Sequence, residues 1–421
     1  MVYQPPAGAR DLLPLDVAQK CWIEERLQQV FDRWGYHRII TSTLERLDTL
    51  MAGGAIQRSA VIQLQDAQEE LGLRPELTAS IARTAVTRMA GSTYPQRLYY
   101  HANVFSRTKG SSLNRQQEFY QSGIELLGSS GFLADAEVLL VLAECLNQLG
   151  LSDWCLVLGE AGIARSLLST FPEAIQDQVR QAIAHLDRVT IDTLPLSPEL
   201  QERARIMLDL RGRPTDVLQQ VGSLELDFPQ KEALNHLKSL ILLLDEYYSV
   251  SASKSTAKFP LILDLSLLQT IDYYTGIVFE VVSNTNMQPQ ILGRGGRYDQ
   301  LLELYHPQRV KIPGIGFMLN IEDLHQVLLA NNQLPQAIPA NNWLVVPQTP
   351  QAYAAAFSYA EKLRNSVHLV RVEIDLGGRD PLEIREYARR RCIQQIAWIK
   401  TTGSPIIEPV TAEHVAPYID I

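Results

Sequence analysis

The chain has 421 residues, which is long enough for two or three domains and a large buried core. Its formal net charge of -9 argues against a strong nucleic-acid binder, which usually carries a basic surface. No stretch approaches the roughly 20 apolar residues that a membrane span requires, and the N-terminus lacks a signal-peptide pattern. We therefore expect a soluble, cytoplasmic globular protein.

Cysteine usage is sparse. The cysteines lie far apart and form no CxxC pair, which predicts reduced, mostly buried thiols in a reducing compartment. We expect neither a metal site nor a cofactor. The four residues concerned are Cys21, Cys145, Cys155 and Cys392.

Helical and strand-like patterns alternate along the first third of the chain. Apolar residues recur at helical spacing from 16 to 35, and a β-rich run covers 36–44. Residues 75–90 indicate a helix with a proline at its first position. Strand-like runs at 97–106 and 117–127 flank a polar turn and predict an antiparallel hairpin with a long loop.

The middle of the chain is predicted to be mostly helical from about 130 to 250, with Leu-rich segments between Pro and Gly breaks. Strand signals return at 260–266 and 276–283. The glycine-rich run 293–296 predicts a tight turn before a helix at 297–304. A phosphate loop is disfavoured there, because the Lys-Ser/Thr ending and the strand-to-helix context are missing.

A polar, proline-punctuated stretch at 331–342 is typical of a linker. Beyond it, strand and helix patterns alternate, which predicts a small parallel α/β domain. We therefore predict a first domain over 1–330, with the mostly helical segment as an insertion, and a second domain over 343–421.

Several motif-scale segments resemble class II histidyl-tRNA synthetases, in the order that this family shows. The segments are 8–14, 31–45 (similar to motif 1), 73–78, 97–125 (similar to motif 2), 272–280, and 295–299 with 314–317 (the approach to motif 3). The resemblance implies an α+β fold, in which a catalytic-like antiparallel sheet with helices is followed by an anticodon-binding-like α/β domain. That second domain ends early or diverges after Lys400.

The resemblance also implies a pocket for histidine. Carboxylates suit an α-ammonium and an imidazole N–H, and tyrosine hydroxyls can orient the other ring nitrogen. Simpler roles stay open for some of these residues: a solvated loop arginine, ordinary sheet tyrosines, and a glutamate paired with a neighbour. The positions that match are Glu76, Thr78, Arg115, Gln121, Glu125, Tyr273 and Tyr274.

Three arginines that the family uses to activate its amino acid are missing. Their positions hold Ser106, Gln269 and Asp323, although Arg107 could partly substitute for the first by a one-residue slip. Removing one preorganised charge from such a site typically costs about 100- to 1000-fold in rate. We expect no catalytic residues, and a site that binds histidine without activating it.

This profile resembles the family of regulatory subunits of ATP phosphoribosyltransferase, which serves histidine biosynthesis. The resemblance implies a short-form catalytic subunit as partner in a hetero-octamer, a homodimer through the motif 1-like region, and feedback inhibition by L-histidine, with no membrane and no tRNA partner. Alternatives are a divergent, active histidyl-tRNA synthetase, a pseudo-synthetase that senses tRNA, and an unrelated two-domain α/β enzyme.

Overall fold

The computed structural model describes residues 4–6, 8–65, 69–107, 116–224, 226–251, 258–267, 273–283 and 289–410. Contacts divide them into two compact units. The first takes the described residues of Met1–Asp11 and Gln19–Leu334, and the second takes those of Leu12–Ala18 and Pro335–Ile421.

The first unit combines helices with two sheets. Its strands are β1 (His37–Arg38), β2 (Leu44–Arg46), β3 (Ile62–Gln65), β4 (Glu70–Leu73), β5 (Gln96–Phe105), β6 (Glu118–Leu127), β7 (Trp154–Glu160), β8 (Arg211–Gly212), β9 (Leu261–Asp264), β10 (Ile277–Ser283), β11 (Gln290–Arg297) and β12 (Gly314–Asn320). The helices are α1 (Pro14–Arg33), which begins in the second unit, α2 (Leu47–Met51), α3 (Thr78–Thr87), α4 (Phe132–Gln148), α5 (Ala161–Leu168), α6 (Glu173–Ala184), α7 (Arg188–Thr193), α8 (Pro198–Asp209), α9 (Pro214–Gly222), α10 (Phe228–Ser251), α11 (Leu301–Tyr305) and α12 (Ile321–Ala330).

The main sheet of the first unit has nine strands among the described residues, in the order β1-β5-β6-β12-β11-β10-β7-β9-β8. Neighbouring strands are antiparallel except for the pairs β1–β5 and β7–β9. A smaller antiparallel sheet has the order β2-β4-β3. This is the antiparallel sheet with helices that the sequence predicts.

The two faces of the main sheet bury different sets of helices, because successive side chains of a strand point to opposite faces. Tyr99 packs on Phe31 of α1, with ring centroids 5.3 Å apart, in the large core that also holds α4 and α10. Tyr100 packs on the opposite face, in a smaller core with Leu77, α3 and α11. This second face carries the candidate site.

The prediction of a tight turn at 293–296 is wrong, because these residues lie inside β11. A Cβ atom on Gly293 would lie 2.4 Å from the Met318 carbonyl oxygen, and one on Gly295 would lie 2.5 Å from the Phe279 ring. The glycines are therefore required by close neighbours in the sheet, and they do not mark a change of chain direction.

The prediction of a mostly helical segment from about 130 to 250 missed β7, an interior strand of the main sheet. Its sequence is a short apolar run between helices, and such a run cannot be distinguished from a piece of buried helix by periodicity alone. The helix predicted from 75 begins instead at Thr78, after the proline.

The second unit is a four-stranded sheet with two helices in its described part. The elements are β13 (Trp343–Pro347), α13 (Tyr353–Arg364), β14 (Val372–Ile374), α14 (Pro381–Arg390), β15 (Gln395–Ile399) and β16 (Pro405–Pro409). The order is β14-β13-β15-β16, and the first three strands are parallel as predicted. The last strand, β16, was not predicted, and it is antiparallel to β15. Its Glu408 accepts hydrogen bonds from Arg385 and Trp398.

The cysteines are free thiols, but the expectation that most are buried is wrong. Cys145 is buried and Cys155 is half-buried, whereas Cys21 and Cys392 are exposed. None of the described helices has both the length and the apolar character that crossing a membrane requires.

Candidate functional site

The candidate site lies where β6 and β12 meet the first turn of α3. Strand pairing places Gln121, Gly123 and Glu125 on one face of β6, and Gly316 of β12 directly opposite Glu125. A Cβ atom on Gly316 would lie 2.0 Å from Glu125 Oε2. The position opposite this carboxyl group is therefore closed to any residue larger than glycine.

Glu125 is the buried centre of the site, with 2% of its surface exposed. Its Oε1 accepts a hydrogen bond of 2.7 Å from the Thr78 hydroxyl, and its Oε2 accepts one from the Tyr298 hydroxyl. Burial raises the pKa of Glu125 to about 8, against the lowering effect of these two donors. A cationic group bound beside it would stabilise its ionised form.

Glu76 is the second carboxyl group of the site, and it binds the backbone at the start of α3. Its carboxylate accepts hydrogen bonds from the backbone N–H groups of Thr78 at 2.5 Å and Ala79 at 3.0 Å. These are donors that a helix leaves unpaired at its first turn, so a carboxylate is favoured here. Burial raises the pKa of Glu76, and its charge also disfavours ionisation of Glu125.

The tyrosine pair reaches the site through Tyr298. The rings of Tyr273 and Tyr274 have centroids 4.5 Å apart, and the Tyr273 ring lies 6.0 Å from that of Tyr298. Burial raises the pKa of Tyr274 to about 12 and that of Tyr273 well above its usual range. Both hydroxyls therefore stay neutral, and each can donate or accept a hydrogen bond.

Two more of the predicted residues differ in how far the structure describes them. Gln121 lies on the same face as Glu125, and its side-chain oxygen is buried with no hydrogen-bond partner among the described residues. Arg115 lies outside the described residues, as does Gln269. Glu76, Thr78, Glu125, Tyr273 and Tyr274 are brought together, and Gln121 shares the face.

Tyr298 was missed as a site residue. It is buried, and it contacts both Glu125 and the Tyr273 ring. Its segment was recognised as the approach to motif 3, so a signal was present. The role itself depends on a contact across 173 positions of the chain.

The arginine positions that the structure describes hold no guanidinium. At the first, the Ser106 backbone N–H donates to the Gln117 carbonyl oxygen at 2.9 Å, and the side chain of the adjacent Arg107 is exposed. At the second, Asp323 accepts a hydrogen bond of 3.0 Å from the Gln290 side chain. Burial raises the pKa of Asp323.

Arg294 also lies on the candidate-site face, since it pairs with Met318, which pairs with Gly123. Its Nε is 2.7 Å from Glu280 Oε1, so its charge is already balanced. Glu76, Glu125 and Asp323 lie on or beside the same face, and a cationic ligand group would stabilise the ionised form of these carboxyl groups. None of these residues supplies an unpaired positive charge for a phosphate.

Comparisons with known proteins agree on one fold. The family model described as histidyl-tRNA synthetase matches residues 8–324. The crystal structure of an ATP phosphoribosyltransferase regulatory subunit/histidyl-tRNA synthetase from Bacillus halodurans superposes with a TM-score of 0.78 at 27% identity. The match covers 95% of this chain and 99% of that one. A histidyl-tRNA synthetase from Nostoc sp. gives 0.71 at 18% identity, over 97% of each chain, and is a likeness of fold alone. The predicted class II synthetase-like fold is confirmed.

Sequence relatives point to one kind of protein. An ATP phosphoribosyltransferase regulatory subunit of Nostoc punctiforme is 70% identical over 97% of this chain and 99% of its own length. One of Gloeothece citriformis is 59% identical over 97% of this chain and 100% of its own length. The similarity therefore spans both units.

Proposed function

Because the chain belongs to the family of ATP phosphoribosyltransferase regulatory subunits, we propose that it controls a separate catalytic subunit by binding histidine. In this proposal a short-form catalytic subunit needs this chain for activity and for feedback inhibition in histidine biosynthesis. The observation that carries the proposal is the similarity of 70% identity over 97% of the chain to a relative with that name.

Histidine binding is supported by the chemistry around Glu125. A buried carboxyl group with two neutral hydroxyl donors suits the imidazole N–H or the α-ammonium of free histidine. Glu76 supplies a second carboxylate at the start of α3. The tyrosine pair supplies hydroxyls that remain protonated over the physiological range.

Binding without activation is supported by the residues at the former arginine positions. Serine at 106 cannot neutralise a phosphate, and a carboxylate at 323 would repel one. Arg294, which lies on the same face, already pairs with Glu280. ATP would therefore meet no preorganised positive charge among these residues, and its phosphates would not be held for reaction.

We further propose a homodimer through α1 and β1, the motif 1-like region. Strand β1 lies at an edge of the main sheet, and a sheet edge presents unpaired backbone groups to a partner. Beside it, a cavity of about 350 Å³ is lined by residues of α1, β1, β5 and β6. In that cavity the ring nitrogens of His101 have no partner among the described residues, and burial lowers its pKa to about 4.

Assembly of such dimers with catalytic dimers into a hetero-octamer is proposed from the family resemblance. A role without tRNA is supported by the basic run 389–391. Arg390 pairs with Glu386, and Arg391 lies 3.4 Å from Glu373, so most of its charge is balanced within the second unit. We also propose a cytoplasmic location, because an ATP-consuming enzyme works where ATP is supplied.

The proposal is tested by titrating the purified chain with L-histidine in a calorimeter, alongside an assay of histidine-dependent ATP–pyrophosphate exchange. We expect micromolar to submillimolar binding and no exchange. Detectable exchange would restore the synthetase alternative. A third arm adds the catalytic subunit, whose ATP phosphoribosyltransferase activity should require this chain and should fall when histidine is added.

A further inference from the structure

Two neighbouring residues at the end of β11 contact different parts of the first unit. Tyr298 is directed to the candidate site, where its hydroxyl donates to Glu125. The side chain of Arg297 is directed to α4, where its Nε lies 2.8 Å from Asp135 Oδ1. The same short piece of backbone therefore serves the site and the helical core.

His236 connects the Arg297–Asp135 ion pair to helix α10. Asp135 is fully buried, and its Oδ2 lies 2.6 Å from His236 Nε2. Arg297, with 5% of its surface exposed, adds a second contact of 2.5 Å from Nη2 to Asp135 Oδ1. His236, Asp135 and Arg297 are called here the relay, and they join α10, α4 and β11.

The backbone of Arg297 also holds the segment that carries the tyrosine pair. Its carbonyl oxygen accepts a hydrogen bond of 2.7 Å from the Thr275 N–H. Asp299, whose carboxylate lies 3.0 Å from Arg297 Nη1, donates its own N–H to the Thr275 hydroxyl at 2.9 Å. A shift of Arg297 would therefore move Tyr298 and the residues next to Tyr274 together.

We propose that the relay is a positioning element of the histidine site, which couples the placement of Tyr298 and the Tyr273–Tyr274 pair to helix α10. The inference rests on the proposed function, because it assigns a regulatory route to that same site. Ligand bound against Glu125 and the tyrosines fixes the end of β11, and the relay conveys this order to α10.

The physical basis is the cost of separating buried charges. Removing one partner of a buried ion pair leaves an uncompensated charge, so Arg297 and Asp135 must move as one body. His236 is the accessible end of the relay, since 29% of its side chain is exposed. It lines a cavity of about 430 Å³. It can therefore be changed without unpairing the two buried charges.

The test uses the full chain and three variants on α10. His236→Ala removes the contact to Asp135, and His236→Gln keeps a neutral side-chain donor. Glu232→Ala is the matched control, since Glu232 lines the same cavity one turn earlier and has no hydrogen bond or ion pair to the relay among the described residues. Thermal melting of each variant checks that the fold is retained.

Two readouts are needed. In calorimetry, His236→Ala should reduce the histidine affinity about 5-fold or more, which is the lower end of measured couplings between sites. Glu232→Ala should leave the histidine affinity within about 2-fold of that of the unmodified chain. His236→Gln should recover most of the loss. Hydrogen exchange should show that saturating histidine protects residues 228–251 in the unmodified chain, whereas in His236→Ala this protection falls and protection of α3 and β6 persists.

The outcomes separate two failures. Histidine binding with unchanged affinity and unchanged α10 protection in His236→Ala would overturn the relay and leave the proposed function standing. An equal loss in Glu232→Ala would also overturn it, because the effect would then belong to the cavity surface. Absence of histidine binding by the unmodified chain would overturn the proposed function and this inference with it.

Discussion

The Thr78 hydroxyl donates to Glu125 Oε1 across 2.7 Å, and this contact ties the first turn of α3 to the centre of the main sheet. The two residues are 47 positions apart in the chain. The same threonine donates its backbone N–H to Glu76, so one residue orients both carboxyl groups of the candidate site.

Replacing Thr78 by valine should weaken histidine binding about 10-fold and lower the folding stability by about 1–3 kcal/mol, since the side-chain shape is kept but a buried oxygen of the site carboxyl loses its donor. Calorimetry with L-histidine measures the effect. Thr84→Val on the same helix is the control, because the Thr84 hydroxyl donates to the Ser80 carbonyl oxygen. Equal affinities of Thr78→Val and the unmodified chain would remove Thr78 from the site.

Replacing Glu125 by glutamine should change how stability depends on pH. The folded-state pKa of Glu125, about 8, lies above its ordinary value of 4.5, so the folded chain holds an extra proton between these values. Its contribution to stability is therefore complete below about pH 4.5 and is lost as the pH rises towards 8. Glutamine does not titrate, so the melting temperature of Glu125→Gln minus that of the unmodified chain should increase from pH 5 to pH 8.

The control for this pH series is Glu361→Gln, a change at an exposed carboxylate of α13. It should leave the pH dependence of the melting temperature unchanged. A difference between Glu125→Gln and the unmodified chain that stays constant from pH 5 to pH 8 would contradict a raised pKa at Glu125.

Replacing Asp323 by arginine should increase ATP affinity about 10-fold without producing ATP–pyrophosphate exchange. The change removes one carboxylate and adds one guanidinium, but positions 106 and 269 still hold serine and glutamine in place of the family's arginines. Asp323→Asn should give an intermediate affinity. Glu361→Arg makes the same charge change in the other unit and should not alter ATP binding. Exchange activity in Asp323→Arg would show that the other two losses are not decisive.

Replacing Gly316 by alanine should destabilise the chain by about 1–3 kcal/mol and abolish histidine binding, because the added methyl group would overlap Glu125 Oε2 and force the sheet to shift. Urea unfolding measures the first effect and calorimetry the second. Gly222→Ala is the control, since a Cβ atom there meets nothing within 4 Å. Normal histidine binding by Gly316→Ala would place the ligand away from Glu125.

The sequence predicts helices and strands well where buried and exposed residues alternate with the regular period of that element. The hairpin of β5 and β6 was predicted within one residue at each end, apart from a loop that lies outside the described residues. Strand β7 was missed because both of its faces are largely buried and its apolar run has no alternation to recognise. The glycines of β11 were misjudged because the neighbours that demand them, Phe279 and Met318, come from other strands.

In the candidate site, too, some residues could be predicted from the sequence and others could not. Glu76, Glu125 and the tyrosine pair were named from motif resemblance, and their joint role in binding histidine remains a prediction. Tyr298 and the relay could not be named in this way, because their roles are set by contacts across 173 and 162 positions. Such contacts exist only after the sheet has brought β6, β11 and α4 together.

The exposed thiols of the chain can be used to measure its dimerisation, because they lie on different surfaces. Cys21 is exposed on α1, in the proposed dimer surface, whereas the exposed Cys392 belongs to the second unit. In a dimer of the proposed kind, a maleimide reagent should modify Cys21 slowly, and dilution to monomers should raise the Cys21 rate while leaving the Cys392 rate unchanged. The labelling rate of Cys21, read by peptide mass over a series of protein concentrations, then measures the association constant without any introduced residue.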